Sequence, residues 1–152
     1  MSAHTTHTAR RGDLCQTTQA TPEAVGALTE STRRWLADTV RIDAERHADI
    51  ALATYEALSN CADHAYRDHA TRGTMTLRVS HDGGEGVVRI CVTDEGRWID
   101  PAVLATSRGR GMILMRALAD DFTVDGRDDG TTVCLHFHRC PALRLTDAEA
   151  TA

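Results

Sequence analysis

Hydrophobic residues recur at helical spacing near the start of the chain. Val25, Leu28 and Leu36 follow this spacing, and Thr21 precedes them as a residue type that commonly caps helices. The pattern predicts a first helix over residues 22–39.

A second helical stripe follows Asp43, which can cap another helix. The small and apolar residues of this stripe fall on one continuous face with a 3.6-residue period, and they are Ile50, Ala51, Thr54, Leu58, Cys61, Ala62 and Ala65. The stripe predicts the buried face of a second helix.

The pattern then changes to the two-residue alternation of β-strands over residues 75–79 and 88–92, with a turn sequence between them. Residues 112–119 again have helical composition, and residues 122–124 and 132–138 resemble a second hairpin. This order of elements favours an α+β two-layer sandwich, with the helices on one face of a mainly antiparallel sheet.

Residues 1–20 and 141–152 are polar and lack such patterns, so we expect a flexible N-terminal arm and a flexible tail around one domain, residues 21–140. Leu14 to Thr18 could add a short edge strand. With 152 residues, of which 41% are hydrophobic, the chain can bury a single core.

The net charge of −5 provides no field that would attract nucleic acid or an anionic membrane, so we expect neither as a partner. All 17 basic residues are arginine, which excludes a GxxxxGK[ST] phosphate loop and a lysine nucleophile. The five cysteines form no CxxC pair, and we expect reduced thiols. No leader sequence or membrane span is evident, which favours a cytoplasmic location.

Four short segments contain residue types that could bind a nucleotide. Glu56 and Asn60 share one side of the second helix, where a carboxylate can act as a base and an amide oxygen can bind Mg²⁺. Asp94 can accept a hydrogen bond from the exocyclic amine of adenine, and Gly96 lets a flat ring approach the backbone. Each pattern alone also fits an ordinary helix surface or turn.

The third segment is Arg-Gly-Arg-Gly at residues 108–111, directly before the predicted helix that begins at Met112. Open backbone N–H groups, the helix dipole and guanidinium groups all favour a phosphate there, although a flexible loop is an equal alternative. In the fourth segment, Thr131 and Thr132 follow Gly130 and could bond a base directly or through water, or simply form a hairpin turn.

In this order, the four segments resemble the N, G1, G2 and G3 boxes of the histidine-kinase-like ATPases. The similarity extends from about residue 22 to residue 137, and the Arg-Gly-Arg-Gly run resembles that of the anti-sigma regulatory Ser/Thr kinases of bacterial partner switching. This resemblance implies the Bergerat fold, with ATP and Mg²⁺ as cofactors.

The resemblance further implies that the protein binds a sigma factor and phosphorylates an anti-anti-sigma partner of the STAS type, and it leaves a homodimer open. Glu56 would be the catalytic base, and Asn60 would be the Mg²⁺ ligand. The implied nucleotide-binding residues are Asn60, Asp94, Gly96, Arg108, Gly109, Arg110, Gly111, Met112, Thr131 and Thr132.

The chain departs from the family at Trp98, where the G1 box usually has a second glycine, and its lid is short. Two other functions stay open: an interaction protein with a vestigial nucleotide pocket, and an accessory ATPase domain of a phosphatase or receiver pathway. His136, His138 and Cys140 alternate along the last strand and could hold zinc, but a solvated strand face explains the alternation without a metal.

Overall fold

The computed structural model describes residues 12–65, 73–96 and 107–143, and it describes the backbone alone for residues 64–65 and 107–111. Its elements in chain order are β1 (Leu14–Gln19), α1 (Pro22–Thr39), α2 (Ala44–Asn60), a π-helical turn (Cys61–Ala65), β2 (Thr74–Asp82), β3 (Val87–Asp94), α3 (Ser107–Leu118), β4 (Asp121–Arg127) and β5 (Gly130–Phe137). The strands form one antiparallel sheet in the order β1-β2-β3-β5-β4. The predicted α+β sandwich is confirmed.

Both predicted helix caps are present. The Thr21 hydroxyl accepts a hydrogen bond from the Ala24 N–H at 3.2 Å, and the Asp43 carboxylate accepts one from the Arg46 N–H at 2.8 Å. Each cap satisfies a backbone N–H that has no partner inside its own helix. These contacts fix where α1 and α2 begin.

The core lies between the helices and one face of the sheet. The buried strand residues on this face are Met75, Leu77, Val79, Val88, Ile90, Val92, Val133, Leu135 and Phe137. Helix α2 contacts both α1 and α3 and contributes Ile50 and Leu58, which are fully buried. Removal of this apolar surface from water is the main term that stabilises the fold. Among the described residues, no helix is long and apolar enough to cross a membrane.

Ordered structure begins before residue 21. The strand β1 pairs with β2 along its whole length, from Leu14 opposite Val79 to Gln19 opposite Thr74. The structure therefore contains the short edge strand that was predicted as an alternative for residues 14–18.

Two cysteines lie opposite each other on the sheet face that points away from the helices. Cys91 of β3 and Cys134 of β5 are register partners with Cα atoms 4.1 Å apart, and a disulfide joins them. The expectation of five reduced thiols was therefore wrong for this pair, because the antiparallel register brings together cysteines that are 43 residues apart in sequence. Cys15, Cys61 and Cys140 keep their thiols.

Candidate functional site

Two predicted site residues lie near the C-terminal end of α2. Glu56 is half-buried, and burial raises the pKa of its carboxyl group, with a further increase from the nearby Asp63 carboxylate. Nδ2 of Asn60 is buried and has no hydrogen-bond partner among the described residues. Because a buried N–H without a partner is unfavourable, Nδ2 can donate to an acceptor on a ligand, such as a phosphate oxygen. The amide oxygen of the same side chain is an atom type that binds hard cations such as Mg²⁺.

The helix α2 continues into the π-helical turn Cys61–Ala65 directly after Asn60. Such wider turns inside helices occur frequently at functional sites. Here the turn carries Cys61, which is 5% exposed, and places its Sγ 3.4 Å from Oδ2 of Asp94. This contact brings the end of α2 against the end of β3.

Asp94 is the last residue of β3 and is only 7% exposed. Its Oδ1 accepts a hydrogen bond from the Gly96 N–H at 2.9 Å, which closes a tight turn. Gly96 is itself buried beside it. The carboxylate is thereby held at the edge of the core, between the sheet and α2.

The start of β5 lies unusually close to Asp94. Thr131 is the register partner of Asp94, it is buried, and both side chains lie on the helix-facing side of the sheet. A Cβ on the preceding Gly130 would lie 2.5 Å from the Asp94 carbonyl oxygen, closer than real Cβ atoms come. Only glycine fits there, so the strand can bring Thr131 beside the carboxylate.

Thr132, which was grouped with Thr131 as a nucleotide-binding residue, faces the other way. Successive strand side chains point to opposite faces, so Thr132 lies on the outer face, where its hydroxyl is 3.2 Å from the Thr93 hydroxyl. The structure therefore brings Thr131 to Asp94 and takes Thr132 away from it.

The predicted start of the third helix was wrong. Helix α3 begins at Ser107, five residues before Met112, so Gly109 and Gly111 lie inside its first turns and not in a preceding loop. A helix tolerates such glycines at about 1 kcal/mol each. The first four N–H groups of a helix have no partner within it, and those of α3 include that of Gly109.

The remaining predicted residues of this segment have different outcomes. Met112 is buried in the hydrophobic core, which is a packing role. The side chains of Arg108 and Arg110 lie outside the part that the structure describes, as do Trp98 and the rest of the predicted lid before residue 107.

The three zinc candidates do not converge. His136 is bonded to the Arg89 side chain at 3.1 Å, and His138 contacts the Asp121 carboxylate at 3.1 Å. Cys140 Sγ lies 3.4 Å from the His138 carbonyl oxygen. In the described ranges no group of three His, Cys, Asp or Glu side chains could hold a metal ion.

Two surface cavities lie away from these residues. One is next to the N-terminal end of α2 and is lined by Asp43, Arg46 and Arg139, and the other is on the outer sheet face beside Arg89 and His136. Neither contains a predicted nucleotide-binding residue, so cavity shape among the described residues does not identify the site.

Sequence reasoning missed one contact at the site and one on the opposite face of the sheet. It placed Cys61 in the buried stripe of the second helix and within the N-box match but gave it no role at the site. Its position directly after Asn60 was a signal that it borders the site. The mirrored spacing of Cys91 before Asp94 and of Cys134 after Thr131 was a second signal, because it fits one antiparallel register.

Residues 18–137 match the family model described as the histidine kinase-like ATPase domain. The chain is also similar to the crystal structure of the RsbU and RsbW domains of Rv1364c from Mycobacterium tuberculosis, with 27% identity and a TM-score of 0.67 over 87% of this chain and 33% of that chain. It therefore spans about a third of the length of that solved chain.

A second solved structure agrees in fold. The histidine kinase domain from the Erythrobacter litoralis EL346 blue-light activated histidine kinase is 21% identical, with a TM-score of 0.53 over 76% of this chain and 63% of that one. The same arrangement of helices and sheet thus occurs at low sequence identity.

Proposed function

The chain belongs to the histidine kinase-like ATPase domain family, and on that premise we propose that it is an ATP-binding anti-sigma factor with Ser/Thr kinase activity toward an anti-anti-sigma protein of the STAS type. The observation that carries the proposal is the contact between Cys61 and Asp94. It brings the end of α2, with Glu56 and Asn60, against the predicted adenine-binding carboxylate. The similarity to an RsbW domain supports the same assignment.

Asp94 would select adenine. An ionised carboxylate only accepts hydrogen bonds, so it can bind the exocyclic amine of adenine but would repel the carbonyl oxygen of guanine. The Gly96 N–H already fixes Oδ1, and the missing side chain of Gly96 leaves room for the ring. We therefore expect ATP to be bound in preference to GTP.

The triphosphate would lie between α2 and the N-terminal end of α3. The N–H groups of the first turn of α3 and its dipole favour an anion, and Gly109 and Gly111 let the phosphates approach closely. Asn60 would hold Mg²⁺, which neutralises charge on the phosphates during transfer.

Glu56 would act as the base for the transfer. It would take the proton from the acceptor hydroxyl as that oxygen bonds to the γ-phosphorus and the bond to the β,γ-bridging oxygen breaks, releasing ADP. Burial raises the pKa of Glu56 above the ordinary value of 4.5, which makes it a stronger base than an exposed glutamate. A general base contributes roughly 10²–10⁴-fold to a rate.

The test is transfer of label from γ-labelled ATP to a purified candidate partner protein of the STAS type. Wild type should phosphorylate it, and Glu56→Gln should reduce the rate at least about 100-fold while ATP affinity stays within about twofold. Labelling that is unchanged in Glu56→Gln would contradict the assigned base.

A second candidate function is an accessory ATPase module. The Rv1364c structure contains an RsbU domain and an RsbW domain in one protein. If this chain is such a module, wild type would bind ATP but transfer no label to the STAS-type protein. An interaction protein with a vestigial nucleotide pocket would neither bind ATP nor transfer label.

A further inference from the structure

We propose that Cys61 is a positioning residue that sets purine selectivity by orienting the Asp94 carboxylate. The proposal rests on the proposed function, because it assumes that Asp94 binds the amine of adenine. Cys61 is not among the nucleotide-binding residues that the family resemblance implies.

The geometry holds the carboxylate from two sides. The Cys61 thiol lies 3.4 Å from Oδ2 of Asp94, which is hydrogen-bond distance for sulfur, and the Gly96 N–H donates to Oδ1 at 2.9 Å. A carboxylate with a donor on each oxygen cannot rotate without losing one of them. Its remaining lone pairs therefore point in fixed directions.

The backbone under Asp94 is fixed as well. The Cα of Gly130 packs so closely that an added Cβ would lie 2.5 Å from the Asp94 carbonyl oxygen. Because the main chain cannot shift toward β5, the orientation of the carboxylate depends on its side-chain contacts. The Cys61 thiol is a side-chain contact that the π-helical turn supplies.

The position of Cys61 suits this role better than core filling alone. It is the first residue of the π-helical turn, and its Sγ contacts Oδ2 of Asp94 at the end of β3. An alanine or valine at this position would fill part of the same volume without a donor. The role of the thiol can therefore be separated from its bulk.

The consequence concerns selectivity and not only affinity. A carboxylate in a fixed orientation binds more tightly to a ligand whose N–H lies at the matching position, as that of the 6-amino group of adenine does. A purine that has hydrogen in place of this amine gains nothing from the orientation. Loss of the thiol should therefore reduce binding of ATP more than binding of the analogue.

The experiment is a calorimetric titration with Mg-ATP and with the Mg complex of purine riboside triphosphate, which lacks the 6-amino group. The variants are Cys61→Ala and Cys61→Val; both remove the donor, and the second leaves no cavity if the first folds poorly. The matched control is Cys140→Ala, since Cys140 is also a buried thiol 3.4 Å from an oxygen, that of His138, away from the site.

Wild type and Cys140→Ala should prefer ATP to the analogue, and both Cys61 variants should lower this ratio about fivefold, as expected for a weak donor to a charged acceptor. An unchanged ratio in either folded Cys61 variant, even with weaker binding of both ligands, would overturn the inference and leave the proposed function intact. Failure of wild type to bind ATP would overturn both.

Discussion

The two ends of α2 are both polar, but they differ in how far their polar groups are satisfied. At the N-terminal end, Arg46 bonds the Asp120 carboxylate at 2.5 Å and the His138 carbonyl oxygen at 2.8 Å, and the His138 N–H bonds the same carboxylate at 2.7 Å. At the C-terminal end, the pKa of Glu56 is raised and Asn60 Nδ2 lacks a partner in the described structure.

The pKa shifts show the same difference. Burial alone would raise the pKa of Asp120, but the bonds from His138 and Arg46 outweigh it and lower the pKa below 3.8. Among the described residues, no hydrogen bond or positive charge offsets the burial of Glu56. Polar groups that form hydrogen bonds and ion pairs with one another stabilise a fold. Buried polar groups that lack such partners are candidates for binding a ligand. We therefore infer a structural role for the polar groups at the N-terminal end of α2 and a ligand-binding role for those at its C-terminal end.

The largest effect is expected at Gly130. The Cβ of Gly130→Ala would collide with the Asp94 backbone, so Mg-ATP affinity should fall at least about tenfold and the free energy of unfolding by about 1–3 kcal/mol. Calorimetric titration and urea denaturation measure the two effects. The control is Gly26→Ala in α1, where a Cβ meets nothing within 4 Å and should stabilise the helix by about 0.5–1 kcal/mol. Equal Mg-ATP affinities of Gly130→Ala and wild type would contradict a role of the close approach between Gly130 and the Asp94 backbone in nucleotide binding.

The next effect is at Asp120. Asp120→Asn should lower the free energy of unfolding at pH 7 by about 1–2 kcal/mol, because it weakens charge-assisted bonds that are partly screened by solvent, and ATP affinity should not change. The exposed Asp125 carboxylate, paired with Arg127 at 2.6 Å, is the control, since Asp125→Asn should cost less than about 0.5 kcal/mol.

The pH dependence at Asp120 has a defined sign. A lowered pKa in the folded protein means that its stabilising contribution is present above pH 3.8 and is lost as the pH falls below that value. The stability difference between wild type and Asp120→Asn should therefore shrink below pH 3.8. A difference that stays constant from pH 7 to pH 3 would contradict the role of the ionised carboxylate.

A smaller effect of opposite sign is expected at Glu56. Because its pKa is raised, its ionisation in the folded protein is unfavourable, and stability is lost as the pH rises through its titration. Glu56→Gln should therefore be as stable as wild type or more stable at pH 7, by less than about 1 kcal/mol, as expected for a residue kept for function. Thermal denaturation measures this, and clear destabilisation would make Glu56 a structural residue.

The smallest effect is expected at Asp63. Burial is the larger cause of the raised pKa of Glu56, and the Asp63 carboxylate is the smaller one. Asp63→Asn should therefore move the acid limb of the pH profile of the phosphorylation rate to lower pH and leave the rate at neutral pH unchanged. High salt should reproduce the shift in wild type, since Asp63 is exposed. An acid limb that moves in neither experiment would exclude this electrostatic contribution.

The sequence predicted the parts of the fold that depend on local patterns. The caps at Thr21 and Asp43 follow from local hydrogen bonding, and both are present in the structure. The predicted stripe follows from spacing, and its residues from Ile50 to Ala62 are buried, whereas the side chain of Ala65 lies outside the described part. The start of α3 was missed because the run of two glycines and two arginines is typical of a loop. In the structure the helix begins at Ser107 and includes both glycines.

The site was predicted less completely because its contacts depend on register. The sheet face on which the side chain of each threonine after Gly130 lies depends on the alternation of side chains along β5 and on the pairing of β5 with β3. Of the two threonines, only Thr131 lies beside Asp94. The contacts of Cys61 with Asp94 and of Cys91 with Cys134 join residues more than 30 positions apart. Spacing along the chain does not report such contacts without the register of the sheet.

The central claim is that the C-terminal end of α2 and the end of β3 form an adenine nucleotide site, and titration with Mg-ATP and Mg-GTP tests it most directly. We predict saturable ATP binding, rejection of GTP, and at least about tenfold weaker ATP binding in Asp94→Asn and Asn60→Ala. Thr132→Val, on the opposite sheet face, should bind ATP like wild type. No binding at millimolar ATP, or equal binding by wild type and Asp94→Asn, would contradict the claim.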